Sequence, residues 1–252
     1  MRRLSIVTTL FVLVGVACGG APGDDPTAAV DEAIQGGAAD SGDPAVGLIW
    51  FQGGGFCTGT LISSTVVLTA GHCVQDPIVG FYTGAGKATA NIGANPVSGM
   101  TKHAVSGMEA HPSYSAGGCP NPTLDLGLIH LAQPITTIAP VKITAGGAMP
   151  AAGATCSAVG FGTHTSGSTD TFETKRSGTE IFEAATPTAV HVKMGTALAD
   201  HGDSGGPLVC GGVIIGATSC HDDGDYPQHK QEYYARVDKG LPWVHQKLTA
   251  WK

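Results

Sequence analysis

The chain has 252 residues and a formal net charge of −7, from 13 basic and 20 acidic side chains. With 38 glycines, 15 prolines, 13% charged and 6% aromatic residues, the composition is turn-rich and small, which excludes a coiled coil and a charged disordered chain. An acidic balance with no Lys/Arg cluster gives a polyanion nothing to grip, so no nucleic-acid partner is expected.

Arg2 and Arg3 precede an apolar run over residues 4–17, which suits the core of a signal peptide and falls short of the roughly 18 residues of a membrane span. The chain is therefore expected to be exported. The run closes on Val14-Gly15-Val16-Ala17-Cys18, which resembles the cleavage box of bacterial lipoproteins, with Gly15 where leucine is usual. That resemblance implies a lipid anchor at Cys18, the only membrane attachment expected. The alternative is an ordinary signal peptide over 1–18 whose removal discards Cys18. Residues 19–33 carry Asp24, Asp25, Asp31 and Glu32 with no base in a Gly/Pro/Ala background, and read as a solvated linker or propeptide.

From residue 34 onward short apolar runs at 46–51, 60–70, 126–131, 189–194 and 213–218 are broken by Gly, Pro, Asn and Asp, the pattern of strands. No amphipathic helix separates them, which favours barrels or a sandwich over βαβ units. One helix is predicted over 241–251, where Leu241, Val244, Leu248 and Trp251 share a face and Pro242 falls near the first turn, where its missing N–H costs nothing. Of 7 cysteines, Cys18 apart, the rest form an even set beyond residue 50 that can pair in an oxidising compartment, with connectivity left open by spacing.

The most informative stretch is Gly202-Asp203-Ser204-Gly205-Gly206-Pro207-Leu208. Successive glycines let backbone N–H groups approach a reacting oxygen, and a serine set among them suits a nucleophile. It needs a base and a carboxylate to orient that base. Thr69-Ala70-Gly71-His72-Cys73 ends an apolar strand, and Asp125 opens the alternating run 126–129. Taken alone, Gly-Asp-Ser-Gly reads as a turn and a single histidine as a core residue. The serine also fits the Gly-x-Ser-x-Gly elbow of α/β-hydrolases, whose acid and histidine follow the nucleophile; the short tail after Ser204 has no room for the rest of that fold.

Taken together these motifs resemble the trypsin/chymotrypsin-like serine peptidases, of a bacterial, exported type, from Ile34 to the C-terminal helix. His72, Asp125 and Ser204 stand in that family's chain order. Cys57 and Cys73 bracket the approach to His72, Cys156-Ser157-Ala158-Val159-Gly160-Phe161-Gly162 resembles the start of the second barrel with Phe161 for the usual Trp, and Tyr234-Ala235-Arg236-Val237 with Leu241-Pro242-Trp243-Val244 resembles the last strand and helix. The resemblance implies an all-β fold of two packed antiparallel β-barrels, about 34–133 and 134–240, with a short C-terminal helix and the active site in the cleft between barrels.

It also implies a serine endopeptidase acting on protein or peptide through an acyl-enzyme. His72 would be base and then acid, Asp125 its orienting carboxylate and Ser204 the nucleophile, with the N–H groups of Gly202 and Ser204 as oxyanion hole. Ile34-Gln35-Gly36-Gly37 resembles the family's activated N-terminus, with Gln35 for the common Val. An activating protease would cut after Ala33, and the ammonium of Ile34 would pair with Asp203. The family pattern joins Cys57 to Cys73 and Cys156 to Cys210, leaving Cys119 and Cys220 for each other; the family's bridge across the pocket entrance is missing because Asp200 stands at its cysteine position. Leu198, Ala199, Ser219 and Glu232 are implied at the substrate pocket. Leu198 stands where Arg/Lys-specific members carry aspartate and Glu232 where glycine is usual, so a mixed preference for medium apolar or Lys residues is expected.

No cofactor and no metal are implied, and a monomer is expected. The acidic run His221-Asp222-Asp223-Gly224-Asp225 does not match an EF-hand and reads as a solvated turn, and no histidine pair has the close helical spacing of a zinc site. The alternative reading is a non-catalytic homologue serving as a binding module. Such a protein usually lacks a triad member, and none is lacking here.

Overall fold

A computed structural model of the chain describes residues 34–85, 87–88, 97–116, 118–119, 123–162, 174–222 and 230–252. The expected signal segment with Cys18, the acidic stretch 19–33, and Asp223, Gly224 and Asp225 lie outside the described residues. The fold is all-β, in two halves, with one C-terminal α-helix.

The first half is an antiparallel sheet in the order Thr101–His103, Ile78–Thr83, Val46–Phe51, Phe56–Leu61, Val66–Thr69, Gly127–Leu131, Val105–Ala110. Its two outermost strands are separated in sequence by Ala104 alone, so the sheet must curl until its edges meet, which makes it a barrel. The strand Val46–Phe51 is buried along almost its whole length because both of its faces are covered. Ile49 packs inside with Leu61, Phe81 and Ile129, while Val46, Leu48 and Trp50 meet Val159 and Phe161 of the other half. That double burial is why its sequence reads as a continuous apolar run.

The predicted run 60–70 divides into two strands, Phe56–Leu61 and Val66–Thr69. Ser63 reverses the chain between them, its Oγ accepting the N–H groups of Thr65 and Val66 at 3.3 and 3.0 Å. Such a local side-chain bond competes with strand continuation.

The second half orders its strands Ala38–Ala39, Arg176–Ala185, Thr155–Gly160, Pro207–Cys210, Val213–His221, Gln231–Arg236, Ala189–Met194, and a further pairing of Arg176–Ala185 with Ala189–Met194 closes the ring. Ala38 and Ala39 pair with Ser177 and Arg176, so the chain enters by way of the second barrel before building the first, a crossing the 34–133 boundary did not anticipate. The helix spans Val237–Ala250, beginning earlier than the predicted Leu241. Pro242 consequently sits in the second turn, where its missing N–H leaves the Asp238 carbonyl without its intrahelical donor. The helix holds because Val237, Leu241 and Val244 are buried with Val66, Leu68, Leu126 and Leu128 of the first half, and each such side chain contributes about 1.5–3 kcal/mol.

Three disulfides join Cys57 to Cys73, Cys119 to Cys220 and Cys156 to Cys210. They fit an oxidising, extracytoplasmic setting, and each loop closed is worth about 2–4 kcal/mol. Among the described residues no helix is long and apolar enough to cross a membrane.

Candidate active site

Strand register brings the histidine to the aspartate. Gly127 pairs with Thr69, so the residues just before Gly127 lie against those just after Thr69. Gly71 makes the turn tight; a Cβ there would stand 2.9 Å from the Tyr114 ring and 3.0 Å from Asp125 Oδ1. His72 then opens a single 3₁₀ turn, His72–Val74. Its backbone N–H donates to Asp125 Oδ1 at 2.9 Å, and its Nδ1 lies 2.8 Å from Asp125 Oδ2. An ionised carboxylate only accepts, so Nδ1 carries the proton and Nε2 the lone pair. Ser219 Oγ also donates to Asp125 Oδ2, at 2.6 Å. Burial works to raise the Asp125 carboxyl, but the hydrogen bonds from His72 and Ser219 and the His72 charge bring it below its ordinary value.

Ser204 lies in the loop after Asp200, and the first half grips that loop through Thr58. The Thr58 N–H donates to the Ser204 carbonyl at 2.8 Å, its hydroxyl donates to the Gly202 carbonyl at 3.0 Å, and the same hydroxyl accepts the Phe161 N–H at 3.2 Å. Gly202 has φ +95°, and a Cβ there would meet the Phe56 ring at 2.2 Å, so the position admits only glycine. Within the loop, the N–H groups of Asp203, Gly205 and Gly206 donate to Asp200, Thr218 and Asp203 carbonyls. Among the described residues those of Gly202 and Ser204 have no acceptor. Two adjacent, unsatisfied donors beside a serine are what an oxyanion would require.

Two adjoining cavities share Ser219 and Cys220. One, about 420 Å³, is lined by His72 and Asp125; the other, about 250 Å³, by Ser204 and Glu232 among others. Among the described residues the Ser204 hydroxyl makes no hydrogen bond; such contacts commonly tighten only when substrate arrives. Leu198 and Ala199 are buried and lie outside the lining of the smaller cavity, whereas Ser219 and Glu232 form part of it.

Behind that cavity the second barrel holds a group of acids that alternation does not disclose. Along Arg176–Ala185 the inward face carries Glu180 and Phe182, not Ile181. Glu180 Oε1 accepts the Ala199 N–H at 3.0 Å. Glu180 Oε2, Glu232 Oε2 and the Tyr234 hydroxyl are buried with no partner in hydrogen-bond geometry among the described residues. Burial raises the Glu180 carboxyl to about 8, against the pull of nearby Tyr234 and the Ala199 N–H. Burial, then repulsion from Glu180, Asp203, Asp200 and Asp222, raises Glu232 well above its ordinary value. Asp203 is raised to about 7, again first by burial, although the N–H groups of Asp200, Gly162 and Ile34 donate to it. Glycine at 160 and 162 leaves room for its carboxylate, since a Cβ at either would come within 2.4 Å of it.

Ile34 is buried among Ala158, Ala197 and Ala199 and has φ +43°. Gln35 donates to Asp200 Oδ2 at 3.1 Å.

The Trypsin family model matches residues 34–244. The chain belongs to the trypsin family. Trypsin delta of Drosophila erecta is 29% identical, with 93% of this chain and 97% of that protein aligned. Trypsin Blo t 3 of Blomia tropicalis is 26% identical over 94% and 97%, and a snake venom serine protease of Crotalus durissus durissus is 26% identical over 79% and 80%. Neuropsin, a serine protease expressed in the limbic system of mouse brain, shares the fold, with a TM-score of 0.67, 23% identity, and coverage of 84% of this chain and 97% of its own. Within this trypsin-family frame, Ser219 as second donor to Asp125, Thr58 as loop anchor and Glu180 as buried acid were not apparent as such in the sequence. Ser219 and Thr58 carry no local motif, and Glu180 would have been found only by knowing which face of its strand turns inward.

Proposed function

We propose that this trypsin-family chain is an exported serine endopeptidase in which Ser204 attacks a peptide carbonyl, His72 accepts and returns the proton, and Asp125 holds the imidazole. The observation that carries the reading is the doubly bonded His72–Asp125 pair beside a serine loop whose Gly202 and Ser204 N–H groups have no acceptor among the described residues. The substrate is a protein or peptide. Glu232 in the pocket lining supports a mixed preference for medium apolar or Lys residues before the cleaved bond. A binding module would have no use for this arrangement of donors.

Export by way of residues 1–18, in a bacterial type of cell and with or without lipid at Cys18, belongs to the same proposal, as does a zymogen cut before Ile34. The strain at Ile34 supports the cut. A β-branched residue at positive φ costs about 1–3 kcal/mol, and φ ceases to exist once the preceding peptide bond is gone. Cleavage therefore releases the strain and places an ammonium where an amide now faces Asp203. Asp203, raised to about 7 by burial, would gain the cation it lacks.

A fluorophosphonate label tests both parts. Protein beginning at Ile34 should take one label, at Ser204, and lose it in Ser204→Ala, whose residual rate stays about 10³–10⁴ above water. A processed wild type that neither labels nor hydrolyses any peptide would establish the binding-module reading instead.

A further inference from the structure

Sequence spacing offered no zinc pair, but the fold brings together residues that the sequence keeps apart. Asp200 and His201 precede the nucleophile loop, and His221 ends the strand Val213–His221. One ligand atom from each lies within 4.8 Å of the other two, and the two imidazoles meet edge to face with centroids 5.3 Å apart. We propose that Asp200, His201 and His221 form a binding site for a divalent transition-metal ion of the zinc type, and that the bound ion closes the specificity cavity. The inference rests on the protease reading for its second half only.

The donor set suits such an ion. Two imidazoles and one carboxylate leave a fourth position for water, the open arrangement zinc accepts, whereas calcium and magnesium prefer all-oxygen shells. Two of the three ligands, His221 and Asp200, are held by outer contacts. His221 Nδ1 lies 2.8 Å from the Asp222 carbonyl, which can only accept, so Nδ1 holds the proton and Nε2 carries the lone pair. Asp200 Oδ1 accepts the His201 N–H at 2.6 Å and Oδ2 accepts Gln35 at 3.1 Å, leaving lone pairs on both oxygens. Bonds of about 2.0–2.2 Å in a tetrahedron put ligands about 3.3–3.6 Å apart, so the cluster must contract. His201 is exposed and its side chain can make that movement.

The consequence for substrate follows from position. All three ligands line the same cavity of about 250 Å³ as Ser204 and Glu232, a space scarcely larger than one side chain. An ion with its water there excludes the residue that must enter for cleavage. The other convergence of potential ligands among the described residues, His72 with Cys57 and Cys73, offers no thiolate, because its sulfurs are joined to each other.

The test is calorimetric titration of zinc chloride into the purified protein in the absence of substrate, followed by peptide hydrolysis at each zinc concentration. Wild type, His72→Ala and Ser204→Ala should each bind one ion alike. His201→Ala, a change at an exposed side chain, and His221→Ala should each weaken binding about 100-fold, at least the loss seen when an outer contact is removed. Inhibition of wild type should follow the same dissociation constant, reverse with EDTA, and shift to about 100-fold higher zinc in His201→Ala. Calcium at equal concentration should do neither. Binding unchanged in both histidine variants, binding lost in His72→Ala, or binding without inhibition would each overturn the proposal. Because binding is read without turnover, a chain that binds zinc and cleaves nothing refutes the protease, while an active enzyme that ignores zinc refutes the site.

Discussion

Both halves of the molecule bury carboxylates, and their surroundings drive them in opposite directions. Asp125, on the first-barrel side, receives the His72 N–H, the His72 ring and the Ser219 hydroxyl, and its pKa falls despite burial. Glu180, Glu232 and Asp203, in the second barrel, are fully buried with acids for neighbours, and all three rise, Asp203 in spite of three backbone donors. The first acid is complete as it stands and remains charged at neutral pH. Among the described residues no Lys or Arg pairs with the second group, so a cation brought there, such as the N-terminus proposed at Asp203 or a basic substrate residue proposed at Glu232, is expected to lower these carboxyls. One half holds its acid in a closed set of donors; the other leaves its acids raised by burial and by neighbouring acids.

The severest way to break that contrast is Asp125→Asn. The shape survives, but an amide can offer its N–H to Nδ1 and reverse the tautomer, so kcat should fall about 10⁴-fold with KM little changed. A loss under tenfold in steady-state peptide hydrolysis would show that Asp125 does not orient the base.

Glu180→Gln probes the other group through stability. Burial pushes the folded carboxyl up to about 8 from its ordinary 4.5, so between those pH values the unfolded chain has released a proton that the folded chain retains. Stability therefore falls as pH rises through that window, and Asp203 of the uncleaved chain, with 3.8 raised to about 7, adds in the same sense. In a Ser204→Ala background that prevents autolysis, Glu180→Gln should match its parent near pH 5 and exceed it at pH 8 by about 1–3 kcal/mol in urea denaturation. Parallel pH profiles for the two proteins would remove Glu180 from the account.

The smallest effect is on selectivity. Glu232→Gly opens the cavity and removes its carboxylate, which should favour large apolar residues by about tenfold, the scale of one or two methylenes in an apolar pocket. In the wild type, acceptance of Lys relative to Leu should increase with pH, because the raised carboxyl of Glu232 ionises late. Fixed Arg/Lys selectivity in Glu232→Gly would place the determinant elsewhere.

Most of the scaffold could be read from the chain because burial on one or both strand faces leaves an apolar trace. The runs 46–51 and 189–194 coincide with strands, and the loop around Ser204 stood out through glycines that close backbone approach requires. The reversal at Ser63 was hidden inside an apolar run because one hydroxyl makes it. The early helix start at Val237 was hidden because the last strand passes into the helix with no capping side chain. Glu180 left no trace in the chain, since the polar-out rule fails where a barrel interior keeps acids. The approach of His201 to His221 depends on strand placement, and no spacing rule contains it.

The two ends of the described chain exchange halves. Ala38 and Ala39 are held by the second barrel, while the terminal helix, leaving that barrel, fastens onto the first. There Trp243 and Lys247 reach Glu109, Thr65 donates to the Trp251 carbonyl, and Trp251 stacks on His130. During synthesis the first barrel emerges early but stays uncovered over Val66, Leu68, Leu126 and Leu128 until the final residues appear. Neither half can then finish before the helix is made, and such long-range closure is slow. The same straps make opening of the cleft and loss of either barrel a single cooperative event, so the molecule should tolerate nicks in its surface loops far better than shortening at its C-terminus.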